Sequence, residues 1–288
     1  MDHVKCDGDG RVIALTIKGW ALIGSLPTVV LALSHLKDLE LECCGLRLLP
    51  EPIAAHRIDL KGLSNLQQLT RLSLSSNYLL TSLLDGLSEL QKLQSLSLEG
   101  NYRLESLPVG LSQLQKLQSL HLTNHQLSGG VPAWIFSLTD LTSLVIQKNN
   151  FSGSIPEAIS SLKQLRELVL EEDDLAGSIP EAIRALTNLE NLVLYQSGPS
   201  GSIPEAIRTL KQLQRLGLSQ NNISGSIPEA ISSLKQLQRL DLRSNRLSGT
   251  IPSCIGHLTA LTYLELSTNC LAGTIPAAIT TLINLEYL

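Results

Sequence analysis

Aromatic residues are scarce in this sequence: Phe, Trp and Tyr make up 3% of its 288 residues, and there is a single Met. The hydrophobic fraction is nevertheless 43%, and most of it is Leu and Ile. A globular core of this size normally uses bulkier and more varied side chains. One residue type that recurs indicates one structural position that recurs, so we expect a repeat architecture.

A net positive charge and long apolar runs are also lacking. The formal net charge is −4, which leaves no basic footprint for nucleic acid, and we predict no nucleic-acid partner. No stretch of 18 uninterrupted apolar residues exists, so we predict no membrane insertion by this segment. The first residues lack the basic and apolar regions of a secretory signal. Taken literally, that start predicts a cytoplasmic protein.

Motifs that carry chemistry are absent as well. The sequence has no phosphate-binding Gly-rich loop ending in Lys-Ser/Thr, no His-Glu-x-x-His and no kinase signature. His121 and His125 do not share a helical face, and the acidic run 171–174 is better explained as a solvated rim. We therefore predict a chain that is not an enzyme, with no catalytic residue, no metal site and no cofactor.

The five cysteines form no metal-like spacing, and their odd number leaves at least one unpaired. Free cysteines are usually buried, so we expect these to act as small apolar fillers of the core. They are Cys6, Cys43, Cys44, Cys254 and Cys270.

Leucine recurs at a fixed interval over most of the chain, as at Leu213, Leu237 and Leu261. The segment from Leu237 to Leu258 matches the segments one interval before and after it at every template position. The interval from Leu36 to Leu69 is longer by nine residues, which form an insertion near 54–62. We predict eleven repeats and the start of a twelfth, beginning at positions 12, 36, 69, 93, 117, 141, 165, 189, 213, 237, 261 and 285.

Each template position has a physical role. The period-two leucines of the Leu-x-x-Leu-x-Leu run point from a short strand into the core. The Asn three residues later lies where the chain turns inward, and its amide can bond backbone groups of its own turn and of the next coil. Asp173 and Ser197 interrupt this ladder. We expect its members to be Asn77, Asn101, Asn149, Asn221, Asn245 and Asn269.

The segments Leu247–Pro252 and Leu271–Pro276 read Leu-x-Gly-x-Ile-Pro, which resembles the plant-specific class of leucine-rich repeats. The resemblance covers residues 12–288. It implies an α/β leucine-rich-repeat solenoid, a right-handed horseshoe with a parallel concave β-sheet and an irregular or 3-10 convex side. Residues 1–11, with Val4-Lys-Cys-Asp7, resemble the end of the N-terminal cap of plant receptor-like proteins and are interpreted as its remnant. The unfinished repeat at Leu288 favours a fragment.

That resemblance implies a ligand-recognition module of a receptor-like protein or kinase, as an extracellular or plasma-membrane ectodomain. Two alternatives stay open at this point. One is a secreted inhibitor resembling polygalacturonase-inhibiting proteins, and the other is a cytosolic leucine-rich-repeat scaffold. The sequons Asn150-Phe-Ser and Asn222-Ile-Ser predict glycosylation at Asn150 and Asn222.

Because the inward leucines belong to the core, specificity must lie on the strand residues between them, on the concave face. We expect an exposed strip of three valines around one tyrosine, with glutamates on one side and arginines on the other, which suits a protein or peptide ligand, or a glycan. The predicted binding residues are Val145, Gln147, Glu167, Val169, Glu171, Val193, Tyr195, Arg215, Arg239 and Arg243.

Overall fold

A computed structural model describes residues 3–19, 28–42, 62–77 and 85–288 of the protein. The predicted insertion near 54–62 lies outside these residues, except for Gly62. The chain divides into two compact units. Unit 1 comprises residues 1–128 and 148–150, and unit 2 comprises residues 129–147 and 151–288.

The sheet of unit 1 is parallel except at its first strand. The first two strands pair antiparallel. From the second strand to the sixth, each strand pairs in parallel with the next. The strands are β1 His3–Cys6, β2 Val12–Lys18, β3 Asp38–Glu42, β4 Arg71–Ser73, β5 Ser95–Ser97 and β6 Ser119–Thr123. The helices are α1 Thr28–Leu31 and the 3-10 helices Leu63–Asn65, Asp85–Glu89 and Val109–Gln113.

Unit 2 has one main strand and one 3-10 helix in every repeat, with a second short strand between them. The short strand β7 Ser128–Gly130 begins at the unit boundary. The main strands are β8 Ser143–Gln147, β10 Glu167–Glu171, β12 Asn191–Val193, β14 Arg215–Gly217, β16 Arg239–Asp241 and β18 Tyr263–Glu265. The second strands are β9 Asn150–Gly153, β11 Asp174–Leu175, β13 Ser200–Gly201, β15 Asn222–Gly225, β17 Arg246–Gly249 and β19 Cys270–Leu271.

The 3-10 helices of unit 2 all begin directly after a proline. Proline fixes φ and needs no hydrogen-bond partner for a missing N–H, so it suits the residue before the helix. The Ile in the third helical position is buried in all but the last helix, Ala277–Thr281. The helices are Ala133–Ser137, Glu157–Ser161, Glu181–Ala185, Glu205–Thr209, Glu229–Ser233, Ser253–His257 and Ala277–Thr281. The parallel sheet and these helices confirm the predicted fold class.

The core is a stack of equivalent leucines. Leu216, Leu240 and Leu264 occupy the same register on neighbouring strands, and none exposes any surface. Each fully buried Leu contributes on the order of 2 kcal/mol. A single coil cannot bury its leucines alone, so neighbouring coils must stack for either unit to be stable.

Buried asparagines tie the coils together as the sequence predicts. The Nδ2 group of Asn245 donates to the carbonyl oxygen of Leu218 in the preceding coil at 2.8 Å. Its Oδ1 accepts from the Ile223 backbone N–H at 3.1 Å. The same pattern joins Asn269 to Leu242 and Leu247. One amide side chain therefore satisfies a donor and an acceptor that the turn would leave buried without a partner.

The residue just before each of these inward turns is left-handed. Its φ lies between 45° and 60° at Ser76, Asn124, Lys148, Glu172, Gln196, Gln220, Ser244 and Thr268, none of which is glycine. A non-glycine residue in this region is uncommon and costs about 1 kcal/mol. Where the next residue is a ladder asparagine, its side-chain hydrogen bonds offset that cost.

The interpretation of the cysteines as core fillers is wrong for those that are described. Cys6 and Cys270 are exposed and Cys254 is half-buried, and all three are free thiols. Cys6 lies in the edge strand β1, and Cys270 lies in β19 outside the leucine stack. Cys43 and Cys44 lie outside the described residues. Within the described ranges, the longest apolar helix is too short to cross a membrane.

Candidate ligand-binding face

We call the side of the main sheet in unit 2 that faces away from the leucine stack the strand face. Parallel pairing without a register shift places equivalent residues of β8, β10, β12, β14, β16 and β18 side by side. Adjacent strands are about 4.8 Å apart, so side chains in one column touch their neighbours. The face consists of three such columns, which begin at Ser143, Val145 and Gln147.

The valines of the middle column are the clearest departure from expectation. We predicted three exposed valines, but Val169 and Val193 are only 8% and 3% exposed, and Val145 is half-buried. Val169 and Val193 are each flanked on both sides by a residue in the same register. A Cβ atom at Gly217 would lie 3.3 Å from Cγ1 of Val193, which shows how closely that valine covers the glycine. The valines therefore form a packed floor, with polar side chains above it.

The acidic part of the strand face lies on β10. Oε2 of Glu167 accepts a hydrogen bond from the Ser143 hydroxyl at 2.7 Å. Oε2 of Glu171 accepts one from Nε2 of Gln147, also at 2.7 Å. Both glutamates are half-buried. These hydrogen bonds orient the two carboxylates, which place formal negative charge at this edge of the face.

The basic part lies on the strands β14 and β16. Arg215 is exposed, and its guanidinium makes no ion pair with any described residue. Arg243 lies beside Asp241, with 3.7 Å between its Nε and Oδ2 of the aspartate. That distance is too long for a hydrogen bond, so the pairing is electrostatic only. Arg215 is the cation of this face that is most available to a ligand.

Arg239 is held differently, by an aromatic stack that sequence reasoning missed. Its guanidinium carbon lies 3.6 Å from the centre of the Tyr263 ring. On the other side of that ring lies Tyr287, with the ring centres 4.5 Å apart and the planes only 5° from parallel. A cation over an aromatic face is worth about 0.5–1 kcal/mol at an exposed site. The signal was present in the sequence, because residues 239, 263 and 287 share one register position.

Glu265 supports the stack from the neighbouring column. It accepts from the Ser267 backbone N–H at 3.0 Å and from the Tyr287 hydroxyl at 3.2 Å. The hydrogen bonds from Ser267 lower the pKa of Glu265, and the carboxylate raises the pKa of Tyr287. The carboxylate therefore stays ionised and fixes the outer tyrosine ring of the stack.

Tyr195 is half-buried just after the end of β12, on the column that contains Gln147 and Glu171. Its position between Glu171 and the arginine-bearing strands places an aromatic ring at the border between the acidic and basic parts. The ten predicted binding residues thus fall on one continuous face within unit 2, apart from the two buried valines beneath it.

The two histidines and the acidic run 171–174 lie in different environments. His121 lies near Ser119, with 3.2 Å between Nε2 and the hydroxyl oxygen. His125 instead occupies a ladder position, where Nδ1 lies 3.2 Å from the Asn101 carbonyl oxygen. In the acidic run, Asp173 is buried as a ladder residue and Asp174 is exposed. Within the described ranges, no three His, Cys, Asp or Glu side chains are placed to hold a metal ion.

Burial lowers the pKa of His125 to about 4, because the imidazole is only 5% exposed and loses its hydration. Nε2 has no hydrogen-bond partner in the structure. A ladder asparagine would supply both a donor and an acceptor here, whereas the neutral imidazole satisfies one side only.

Both predicted glycosylation sequons lie on the surface. The side chains of Asn150 and Asn222 are exposed, at the first residues of β9 and β15. Each backbone N–H is bonded to a neighbouring carbonyl, Leu127 at 2.8 Å and Pro199 at 3.1 Å. The side-chain amides are accessible to modification without any change in the backbone.

Family models define the class to which this protein belongs. A model described as a leucine-rich repeat region matches residues 54–202, more than half of the chain. A second, described as leucine rich repeat, matches residues 187–247 and 235–288. The chain belongs to the leucine-rich-repeat family. A search of curated proteins returned no match.

Solved structures add particular relatives. The Arabidopsis receptor kinase HAESA ectodomain, determined with an N-terminally extended IDA peptide hormone, is 30% identical with a TM-score of 0.85 over 99% of this chain. The Arabidopsis thaliana receptor kinase GASSHO1/SCHENGEN3 ectodomain, determined with CASPARIAN STRIP INTEGRITY FACTOR 2, is 32% identical with a TM-score of 0.80 over 95%. The chain spans 47% and 34% of these two ectodomains.

The fold is not confined to plant receptors. A leucine-rich-repeat protein of Leptospira interrogans is 31% identical, with a TM-score of 0.78 over 96% of this chain and 67% of its own. The plant receptor kinase ectodomains and this bacterial protein share the repeat scaffold, so any difference in what they bind must come from residues that the scaffold does not fix.

Proposed function

We propose that this chain is a non-catalytic recognition module of a plant-type receptor-like protein or receptor kinase, and that it binds a peptide across the strand face of unit 2. The observation that carries the proposal is the separation of charge on that face, with Glu167 and Glu171 on β10 and Arg215, Arg239 and Arg243 on β14 and β16. The complex of the similar HAESA ectodomain with a peptide hormone supports the ligand class.

An extended peptide that crosses the strands suits the dimensions of the face. Six strands at a spacing of about 4.8 Å form a strip of roughly 24 Å, which an extended chain covers with about seven residues at 3.3 Å each. A basic ligand residue would lie over Glu167 and Glu171. An acidic one would lie over Arg215, about ten ångströms away, or two strand spacings.

Binding free energy must come from the side chains above the valine floor. Val169 and Val193 are buried already, so a ligand gains little by covering them. Tyr195 and Arg215 still have surface to lose, and aromatic and arginine side chains dominate the energetics of protein interfaces. We therefore assign the largest share of affinity to these two residues.

We further propose that the parent protein presents this module outside the cell, as an ectodomain at the plasma membrane. The similarity to ectodomains of plant membrane receptor kinases supports this location. The exposed sequons at Asn150 and Asn222 support it too, since asparagine-linked glycans are added only in the secretory pathway.

The proposal is tested with a random library of peptides of about seven residues, the length that the face accommodates. Selection on the full chain should enrich peptides that carry a basic residue and an acidic residue about three positions apart. Calorimetry of one enriched peptide should then give at least a tenfold weaker Kd for Tyr195→Ala or Arg215→Ala.

Arg246→Ala is the matched control, because Arg246 is an exposed arginine of β17 away from the strand face. It should leave the affinity unchanged. Enrichment of peptides without charge preference, or equal loss of affinity in the control, would refute the proposal. Thermal melting of every variant should match the parent and so rule out unfolding as the cause.

A further inference from the structure

Unit 1 contains a cavity of about 390 Å³ at its sheet, lined by polar side chains together with Ala14, Leu15, Leu39 and Leu72. Small-molecule sites in proteins begin at about 300 Å³, so this volume suits a ligand. The cavity exists because small side chains lie in register beside long ones: Ala14 pairs with Asp38, and Arg71 pairs with Ser95. Ser73 and Ser97, also paired, complete the floor. None of these residues belongs to the strand face of unit 2.

Part of the wall is held rigidly by contacts within the protein. Glu40 accepts a hydrogen bond from the Thr16 hydroxyl at 3.1 Å and pairs with the ammonium of Lys18 at 3.0 Å. Lys18 also reaches Glu42 at 2.8 Å, and the two carboxylates raise its pKa. The Arg71 guanidinium lies beside Asp38, with 3.8 Å between Nε and Oδ1.

Other groups of the lining have no such partner. The side chains of Lys5, Ser95 and Ser97 make no hydrogen bond or ion pair with the residues that the structure describes. An ammonium donates only, whereas each hydroxyl both donates and accepts. Asp38 adds an acceptor with a free oxygen edge, because its contact with Arg71 is longer than a hydrogen bond.

The charges of the lining cancel. Lys5 and Arg71 provide two positive charges, and Asp38 and Glu40 provide two negative charges. An anionic ligand would meet the carboxylates, and a cationic ligand would meet the ammonium and guanidinium groups. A ligand whose groups both donate and accept hydrogen bonds, and which has no net charge, satisfies every polar group of this lining at once.

We propose that this cavity is a binding site for a neutral sugar residue. Sugar hydroxyls donate to Asp38 and accept from Lys5 and Arg71, and the serines take either role. No aromatic ring is among the described residues of the lining, so no stacking surface strengthens the complex, and the expected Kd is in the millimolar range. The site does not rest on peptide binding by unit 2.

The test uses the full chain and defined oligosaccharides: cellotetraose, xylotetraose and mannotetraose as neutral probes, and tetragalacturonate as an anionic probe. Saturation-transfer NMR detects contact, and titration gives the Kd. At least one neutral tetrasaccharide should bind at millimolar concentration. The Ser95→Leu variant fills the cavity and should weaken that binding by about tenfold or more.

Ser119→Leu is the matched control. Ser119 follows Ser95 in the same register on β6, is half-buried like it, and does not line the cavity. It should bind the sugar as the parent does. Asp38→Asn is a second variant that keeps the volume of the side chain, and it should weaken binding several-fold without loss of the native fold.

Three outcomes would overturn the assignment: no neutral sugar binds, the tetragalacturonate binds instead, or Ser95→Leu and Ser119→Leu bind equally well. If Ser95→Leu does not fold, the Asp38→Asn titration decides alone. Peptide affinity of unit 2 should be unchanged in all three variants, so failure here is distinguishable from failure of the proposed peptide function.

Discussion

The leucine stack and the strand face of unit 2 use the same strands, yet they follow opposite rules. Inside, one residue type recurs, and Leu192, Leu216, Leu240 and Leu264 share one register with no exposed surface. Outside, the adjacent column changes from Glu167 through Arg215 to Tyr263 within a few strands. Stability therefore belongs to the part that repeats, and the proposed recognition would use the part that varies.

This contrast has a physical cause. Coils of a solenoid are stabilised by contacts with their neighbours, so a core position must fit the same position in the next coil. An exposed side chain on the strand face can change type at little cost, usually within about 0.5 kcal/mol. Changes in the repeated part should alter unfolding without altering recognition, and changes in the strand face should do the reverse.

The largest effect is expected at Gly198, which follows Ser197 in a coil of unit 2 that lacks the ladder asparagine. Its φ is +89°, and a Cβ atom there would lie 1.8 Å from the carbonyl oxygen of Leu175. Gly198→Ala cannot relieve that clash by a side-chain rotation, so we expect it to lower the free energy of unfolding by about 4 kcal/mol or more. Urea denaturation followed by circular dichroism measures the loss.

Gly153→Ala separates the clash from the backbone strain. Gly153 has a φ of +80°, and a Cβ atom there would meet nothing within 4 Å. Its cost should be only about 1–2 kcal/mol, the strain of a left-handed residue. Equal losses for the two variants would contradict the close contact with Leu175.

The next effect is a pH dependence of stability in unit 1. Burial lowers the pKa of His125 from 6.5 to about 4, so the unfolded chain binds a proton in a range where the folded chain does not. The stabilising contribution of the neutral imidazole is therefore fully present above pH 6.5. It is lost as the pH drops toward 4, which lowers the free energy of unfolding by on the order of 3 kcal/mol in total. Urea midpoints across this range measure the slope.

His125→Asn is the control, since Asn101 and Asn149 occupy the same position in the adjacent coils. Carboxylates titrate in the same pH range in both proteins, so the difference between the two curves isolates the histidine. Parallel curves would contradict burial of a neutral imidazole in the ladder.

A smaller effect is expected within the aromatic stack. Arg239→Gln and Tyr263→Leu each remove the contact between guanidinium and ring. A double-mutant cycle should give a coupling free energy of about 0.5–1 kcal/mol in urea unfolding. A coupling of zero would mean that the two side chains do not meet in solution.

Glycosylation is expected to change stability least. In a plant secretory expression system, mass spectrometry should find glycans at both Asn150 and Asn222, and Asn150→Gln with Asn222→Gln should remove them. Each substitution lies on an exposed side chain and should alter the free energy of unfolding by less than about 0.5 kcal/mol. Unmodified asparagines in the secreted protein would contradict this prediction.

The fold could be predicted because its signal repeats. The evenly spaced leucines, the asparagine ladder and the prolines before the 3-10 helices each have a local cause that acts in every coil. The ladder prediction succeeded at Asn245 and Asn269. At Asp173, where an interruption is predicted, half of the pattern is kept, because Oδ1 accepts from the Phe151 N–H at 3.0 Å.

The candidate site could be predicted only in part, because lateral packing is not visible in a single strand. Val169 and Val193 alternate with core leucines, which predicts exposure, but their neighbours in register on both sides bury them. The Tyr263–Tyr287 stack and the cavity beside Ser95 arise in the same way, from the order of large and small residues along a column.

The central claim is that charge on the strand face selects the ligand, and Arg215→Glu tests it most directly. Calorimetry compares an enriched acidic peptide with a variant in which its acidic residue is replaced by Lys, against both the parent and the Arg215→Glu protein. We expect the substituted protein to lose affinity for the acidic peptide and to gain affinity for the lysine peptide, with an unchanged melting temperature. An unchanged preference for the acidic peptide would contradict it.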